Sequence, residues 1–260
     1  MGKFDLIFIV GTLTFCLLSL GMLGSNGRRR AKEVVCLNNL RQWGVIFRAY
    51  TDENNSFFWS GTGPGPDFSI NYSRTGQWMH VLRKWYGDNP GLCLCPEATI
   101  PISAGMNLGR THSAWGVASS SSYRYTEGDF GSYGVNQWLQ TRYPGGAEAW
   151  GTIDISGGDN IPMFSGSYWS CVSPKHTDRP PAEEDVINHC SAQDMERVCV
   201  NRHQGHVNQV FMDLSARKIG LKSLWRLKWH RYYDLYYPLP DWPDWMADFP
   251  EPPYIEPPSR

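Results

Sequence analysis

The sequence predicts an α+β fold in which a long N-terminal helix precedes a β-rich domain with long loop insertions, and three observations carry that expectation. An uncharged run over residues 6–24 leads into helix-spaced apolar residues over 34–50. Short apolar patches broken by Gly/Pro turn signals fill 56–166, and two alternating apolar segments flank Leu214-Ser215. With 260 residues, 41% of them apolar, the chain can bury a substantial core. Its 24 basic and 25 acidic side chains give neither the basic field of a nucleic-acid partner nor an acidic field for storing cations. The 12 Trp, 13 Tyr, 26 Gly and 18 Pro favour a loop-rich domain anchored by aromatic rings over a helical bundle.

Residues 1–27 read as a membrane anchor. The 19 uncharged residues of 6–24 make a helix of roughly 28 Å, about the thickness of a bilayer's hydrocarbon core. A cleaved secretory signal is the competing reading, but it favours an apolar core of about 7–15 residues ending in a small-x-small site, which Leu23-Gly24-Ser25 matches poorly. Arg28, Arg29, Arg30 and Lys32 follow the span and only Lys3 precedes it, so the positive-inside rule would leave the rest of the chain in the cytoplasm. Cys36, Cys93, Cys95, Cys171, Cys190 and Cys199, several in turn-rich sequence, argue instead for an oxidising compartment. Cys93-x-Cys95 is not a zinc-ribbon pair.

Residues 28–55 continue the helix as an amphipathic half. Val34, Leu37, Leu40, Trp43, Ile46, Phe47 and Tyr50 share one face, opposite Arg41, Gln42 and Arg48; Ser25-Asn26-Gly27 is the expected kink and Asp52-Glu53-Asn54-Asn55 the end. That face needs cover, which the globular domain of residues 56–230 supplies. Within it, 76–86 reads as a helix through Trp78, Val81, Leu82 and Trp85, and "NIPMFSGSYW" as a strand entering a loop. Residues 171–200 read as a surface excursion in which Cys171 pairs with Cys190 or Cys199. "HVNQVFMD" and "ARKIGL" form a hairpin, "LKSLWRLKWHR" a short helix, and 231–260 an extended Pro/Trp-rich tail held by its tryptophans.

For chemistry, His203, His206 and Asp213, with His189 or Cys190, are the candidate metal ligands. Gly205 and the β-like run after it argue against a helix that would gather them, and along a strand His203 and Asp213 lie up to ~33 Å apart. The alternative is structural: His203 and Asn208 tie the strand's start to neighbouring loops, and Asp213 caps the turn with Ser215. Calcium could use Glu127 and Asp129 of "TEGDFGS", although EF-hand spacing is absent. Glu183-Glu184-Asp185 and Asp52-Glu53 read as solvated faces. There is no Gly-x-Ser-x-Gly elbow, His-Glu-x-x-His or phosphate-binding Gly-rich loop, so neither an enzymatic role nor a cofactor is expected.

Two blocks carry a resemblance. "AKEVVCLNNLRQWGVIFRAYTDENN" resembles the segment after the anchor in bacterial prepilin-type proteins, relatives of the type II secretion pseudopilins. "RHQGHVNQVFMDLSARKIGLKSLW" is similar to the H-X9-D-G signature of one such subgroup, with His203 followed by nine residues and Asp213. The resemblance implies a type IV pilin-like fold, a helix spanning the inner membrane once and packing its distal half on an antiparallel sheet, with the globular part in the periplasm. It also implies a non-catalytic structural or accessory role in a type II secretion or pilus-like assembly, beside the membrane and other pilin-like subunits or secretion-system proteins. An anchored module binding polysaccharide or an envelope protein through its aromatic rings is the first alternative, and a metal-dependent enzyme resting on His203, His206 and Asp213 the minor one.

The chain departs from the family twice. Its start, Met1-Gly2-Lys3-Phe4-Asp5-Leu6-Ile7-Phe8, offers Lys3 and Phe4 as the processing site but places Phe8 where the family has an assembly Glu. Leu214 replaces the signature's Gly at the turn, which calls for another turn type or a longer one.

Overall fold

The computed structural model describes residues 3–61, 77–87, 89–100, 106–117, 127–141, 146–185 and 193–256, with backbone alone for 3–23, 25, 106 and 107. It is an α+β structure. Helix α1 (Lys3–Glu53) comes first, followed by the single turns α2 (Trp78–Val81) and α3 (Arg83–Tyr86). A small antiparallel sheet runs β1 (Met106–Asn107), β2 (Trp115–Val117), β3 (Phe130–Gly131). The larger sheet contains β4 (Tyr133–Asn136), β5 (Pro162–Gly166), β6 (Cys171–Val172), β7 (His206–Phe211) and β8 (Ala216–Gly220), in the order β6-β4-β5-β7-β8; the turn α4 (Met195–Val198) falls between β6 and β7. All its pairings are antiparallel except β4 with β6.

The sequence period explains how α1 sits. Cys36, Leu40, Trp43 and Phe47, with Asn39, Ile46 and Thr51 beside them, are buried at three- and four-residue steps. Val34 belongs to the other side: it is 61% exposed, because the stripe that meets the sheet starts at Cys36. Gly44 lets the helix close on the β7–β8 hairpin, since a Cβ there would stand 3.1 Å from Val210 Cγ2 and 3.4 Å from the Leu214 carbonyl. Trp43 lies within 5.0–5.3 Å of the Trp78, Tyr86 and Phe164 rings, and its indole N–H donates to the Leu92 carbonyl at 2.8 Å. The helix stops where Asn55 and Ser56 turn left-handed, with the Ser56 N–H returning to the Thr51 carbonyl. Among the described residues no helix is long and apolar enough to cross a membrane; the side chains of 6–23, on which the anchor reading rests, lie outside them, as do those of Lys3 and Phe4.

The hairpin forms as expected, with Val210 opposite Ala216 and His206 opposite Gly220. Its turn shows how a leucine replaces a glycine. Leu214 takes φ +67°, a left-handed conformation costing a branched or bulky residue roughly 1–2 kcal/mol. It is held there by its N–H on the Phe211 carbonyl and by Asp213 Oδ1, which accepts from the Ser215 N–H at 3.0 Å and hydroxyl at 2.6 Å.

Elsewhere the expectations need correcting. The helix over 76–86 breaks at Leu82, whose ψ of 0° separates α2 from α3. Residues 171–200 are a surface excursion only in part: Cys171 and Val172 form an edge strand and Met195, Val198, Cys199 and Val200 are buried, while 182–185 between them are exposed. Cys199 is a free thiol in the core, its pKa pushed up by burial and then by Glu196, so it makes no bridge to Cys171. Cys190 and His189 lie outside the described residues. The short helix after the hairpin is a 3-10 helix, Leu221–Arg226. The tail is pinned as its tryptophans suggested. Trp242 packs 5.2 Å from Trp225 and donates to Glu251, Trp245 donates to the Pro181 carbonyl, and the buried Lys222 ammonium meets Glu251 at 2.5 Å.

Beneath the tail two buried groups oppose each other in pH. Burial pushes the Asp178 carboxyl up to about 6, against the Lys175 and Met195 amides that donate to it. Burial, then His176, Lys228 and Lys175, pushes His230 down to about 4. The raised Asp178 gives stability present below an ordinary aspartate's 3.8 and lost as pH rises through 6. The lowered His230 gives stability present above an ordinary histidine's 6.5 and lost as pH falls through 4. Each is worth on the order of 2 kcal/mol after solvent screening, so between them the profile is nearly flat. In Asp178→Asn, whose amide oxygen still accepts both backbone bonds, stability should climb with pH over that interval as His230 acts unopposed. Urea midpoints that fall or stay level between pH 4.5 and 6.5 would overturn this.

Candidate functional site

The structure separates the three ligands that sequence spacing suggested. His206 opens β7 with its Nδ1 on the Gln204 carbonyl at 2.8 Å, while Asp213 sits in the turn past the other end of the strand. His203 is instead buried among groups from elsewhere in the chain: its Nε2 lies 3.5 Å from Cys95 Sγ, and Cys36 Sγ completes a trio whose ligand atoms all fall within 4.8 Å of one another.

Each member is positioned by its own element. Cys36 is the first fully buried position of the α1 stripe. Cys95 follows the 3-10 helix Pro90–Cys93, which is tied to α1 by the Trp43 indole on the Leu92 carbonyl and by the Asn39 amide on the carbonyls of Gly91 and Leu94 at 3.1 and 3.0 Å. His203 precedes two left-handed residues, Gln204 and Gly205 (φ 55° and 78°), which reverse the chain and turn His206 outward. Arg202 fixes this corner. Its buried guanidinium donates to the carbonyls of Thr111 (3.0 Å), Ser132 (2.5 Å), Arg110 (3.1 Å) and Ser167 (3.1 Å).

The electrostatics favour one shared thiolate. The hydrogen bond from Cys36, then that of His203 and the charges of Arg202 and His203, hold Cys95 well below the usual thiol range despite its burial. Burial and its role as donor to Cys95 push Cys36 well up. Tyr133 donates its hydroxyl to Cys36 Sγ at 3.3 Å. Asn208, 1% exposed, is close enough to Cys36 to favour its thiolate, yet neither of its amide atoms reaches a hydrogen-bond partner among the described residues. Asn208 thus makes no hydrogen bond to a neighbouring loop among the described residues, which corrects the expectation that it ties the strand's start to one.

A surface cavity reaches the trio at His203. A cavity of about 430 Å³ is lined by His203, Arg202 and Gln204 and, from α1, by Arg29, Arg30 and Glu33. The two thiols lie behind this wall, each 1% exposed. Such a set can bind a thiophilic metal, exchange disulfides or hold a nucleophilic thiolate. The calcium candidates are not assembled as an oxygen cage: Glu127 is exposed, and the buried Asp129 faces Arg83 at 3.5 Å and His80 at 3.7 Å. Nor are the 183–185 acids simply solvated, since Asp185 accepts from the Thr111 N–H and hydroxyl, and Glu184 from the Asn201 amide.

Cys36 and Cys95 were missed as site residues because in the sequence both read only as signs of an oxidising compartment. The only signal was that Cys36 lies four residues before Leu40 on the covered face. Compared with known protein families, curated proteins and solved structures, the chain gives no match.

Proposed function

We propose that the chain is a non-catalytic pilin-like subunit, anchored in a bacterial inner membrane by residues 1–27 and carrying its globular domain in the periplasm. One observation supports it most. The distal part of α1 is buried against β5, β7 and β8 from Cys36 onward, while Gly24 and residues 26–32 are exposed, as in a helix leaving its domain toward the uncharged run of 6–24. The assembly partners are then other pilin-like subunits or secretion-system proteins, and the fold is the type IV pilin-like arrangement of one long helix on an antiparallel sheet.

The aromatic load, which suggested a polysaccharide-binding module, is used for packing. All 12 Trp are buried or packed on the core. Among the described residues, Phe57, Tyr232, Tyr236, Tyr237 and Tyr254 are the exposed rings left for such a role.

The test is where the full chain is found in its native host. Washed inner membranes should retain it until detergent is added, and sheared surface fibres should carry it when labelled with antibody under the electron microscope. Recovery solely as a detergent-soluble monomer, absent from fibres, overturns the subunit reading, and recovery without detergent overturns the anchor.

A further inference from the structure

We propose that Cys36, Cys95 and His203 form a structural zinc site, with Asn208 closing its fourth position. This inference is independent of the membrane reading and rests on geometry. Thiolate sulfur and imidazole nitrogen sit about 2.3 Å and about 2.0–2.1 Å from zinc, which places two tetrahedral ligands about 3.5 Å apart. Cys95 Sγ and His203 Nε2 are 3.5 Å apart, and Cys36 Sγ is within 4.8 Å of both. Two cysteines and a histidine are the donors that zinc selects over calcium or magnesium.

Asn208 is the second observation. A buried amide with no partner forfeits roughly 1–3 kcal/mol, and an ion or water at the site is one of the few explanations for such a group in a native structure. Both amide atoms of Asn208 are buried with no partner among the described residues, and the side chain lies near enough to Cys36 to favour its thiolate, so its Oδ1 is the proposed fourth donor. Tyr133, donating to Cys36 Sγ at 3.3 Å, is the outer hydrogen bond expected to orient a metal-bound thiolate.

The burial of both thiols points to a closed structural site rather than a catalytic one with an open position. The site would staple three segments far apart in the chain: α1, the loop after the 3-10 helix Pro90–Cys93, and the corner before β7. Zinc would bind with both thiols deprotonated and the imidazole nitrogen unprotonated, the protons that the trio still carries leaving to solvent as the Zn–S and Zn–N bonds form, and no redox step is involved.

The full chain, purified in detergent without chelator or metal-affinity resin, should contain about one zinc per molecule by elemental analysis. Cobalt exchanged into it should give the visible bands of a tetrahedral site and a thiolate-to-cobalt band in the near ultraviolet. Cys95→Ser and His203→Asn should lose the metal, and Tyr133→Phe should weaken it about 10-fold. Where a ligand variant does not fold, Tyr133→Phe and chelator titration of the unaltered protein still decide the matter, because chelation must lower the thermal midpoint. Absence of zinc, with added Zn²⁺ or Co²⁺ neither binding nor raising the midpoint, overturns the proposal. So does a Cys36–Cys95 disulfide found in the alkylated native protein by mass spectrometry.

Discussion

Arg202→Met should lower the unfolding free energy by about 3–5 kcal/mol, the cost of breaking a buried charged hydrogen-bond network by removing one side of it. Methionine keeps much of the apolar stem but has no donors. Four carbonyls now take guanidinium N–H groups, those of Arg110, Thr111, Ser132 and Ser167. They belong to the approach to β2, the joint between β3 and β4, and the loop after β5, so a single side chain sews the small sheet to the large one. Each orphaned carbonyl costs about 1–3 kcal/mol where it has no other partner. Ser132 O also accepts from the Ser167 N–H at 2.9 Å, so the total falls short of four full penalties. Lysine, with three donors on a point charge, should recover only part of the loss. Guanidinium unfolding followed by tryptophan fluorescence, with chelator present throughout to separate any effect on the neighbouring His203, measures it. A change under about 0.5 kcal/mol, typical of an inconsequential surface substitution, would show that the carbonyls do not depend on Arg202.

Trp43→Ala should cost a comparable 3–5 kcal/mol, roughly the range for deleting a buried aromatic side chain. The indole is fully buried among Trp78, Tyr86 and Phe164, and its neighbours are fixed to sheet and helix, so the space cannot collapse. Its N–H also holds the Leu92 carbonyl. Trp43→Phe keeps much of the ring packing and loses that bond, for which about 1–2 kcal/mol is expected. Far-UV circular dichroism against urea should rank wild type, Phe and Ala in that order. Equal stabilities for the two variants would show that ring packing contributes little.

The elements with strong periods were legible. The α1 stripe from Leu40 to Phe47 and the alternation of β7 follow directly from side-chain spacing, and Asp213 with Ser215 identified the turn. What hid the remainder was glycine used for contact rather than for turning. In "EGDFGSYG" the glycines read as loop, yet Tyr133–Asn136 is a central strand of the larger sheet. Gly134 is there because a Cβ would come within 2.4 Å of the Trp169 carbonyl. Strand β6 is two residues long and parallel to β4, too short for any period to reveal. In the candidate site His203 was visible, but its sequence neighbours were the wrong partners. Two left-handed residues send His206 away, and the thiols that meet His203 arrive from α1 and from the loop after Leu94. No local pattern encodes a meeting of that kind.

The seat of α1 has a consequence for how the molecule comes into being. The first helix is covered by β7 and β8, and buried Tyr233 and Met246 of the closing segment complete the same core. A chain made from its N-terminus therefore carries the α1 stripe without its sheet through most of its synthesis, with only Phe58, Trp59, Trp78 and Tyr86 available early to cover Trp43 and Phe47. Contacts between opposite ends of a chain form slowly, and exposed apolar surface invites aggregation while they do. Until β7 and β8 emerge, that uncovered stripe is where a folding chain of this design is most exposed to aggregation.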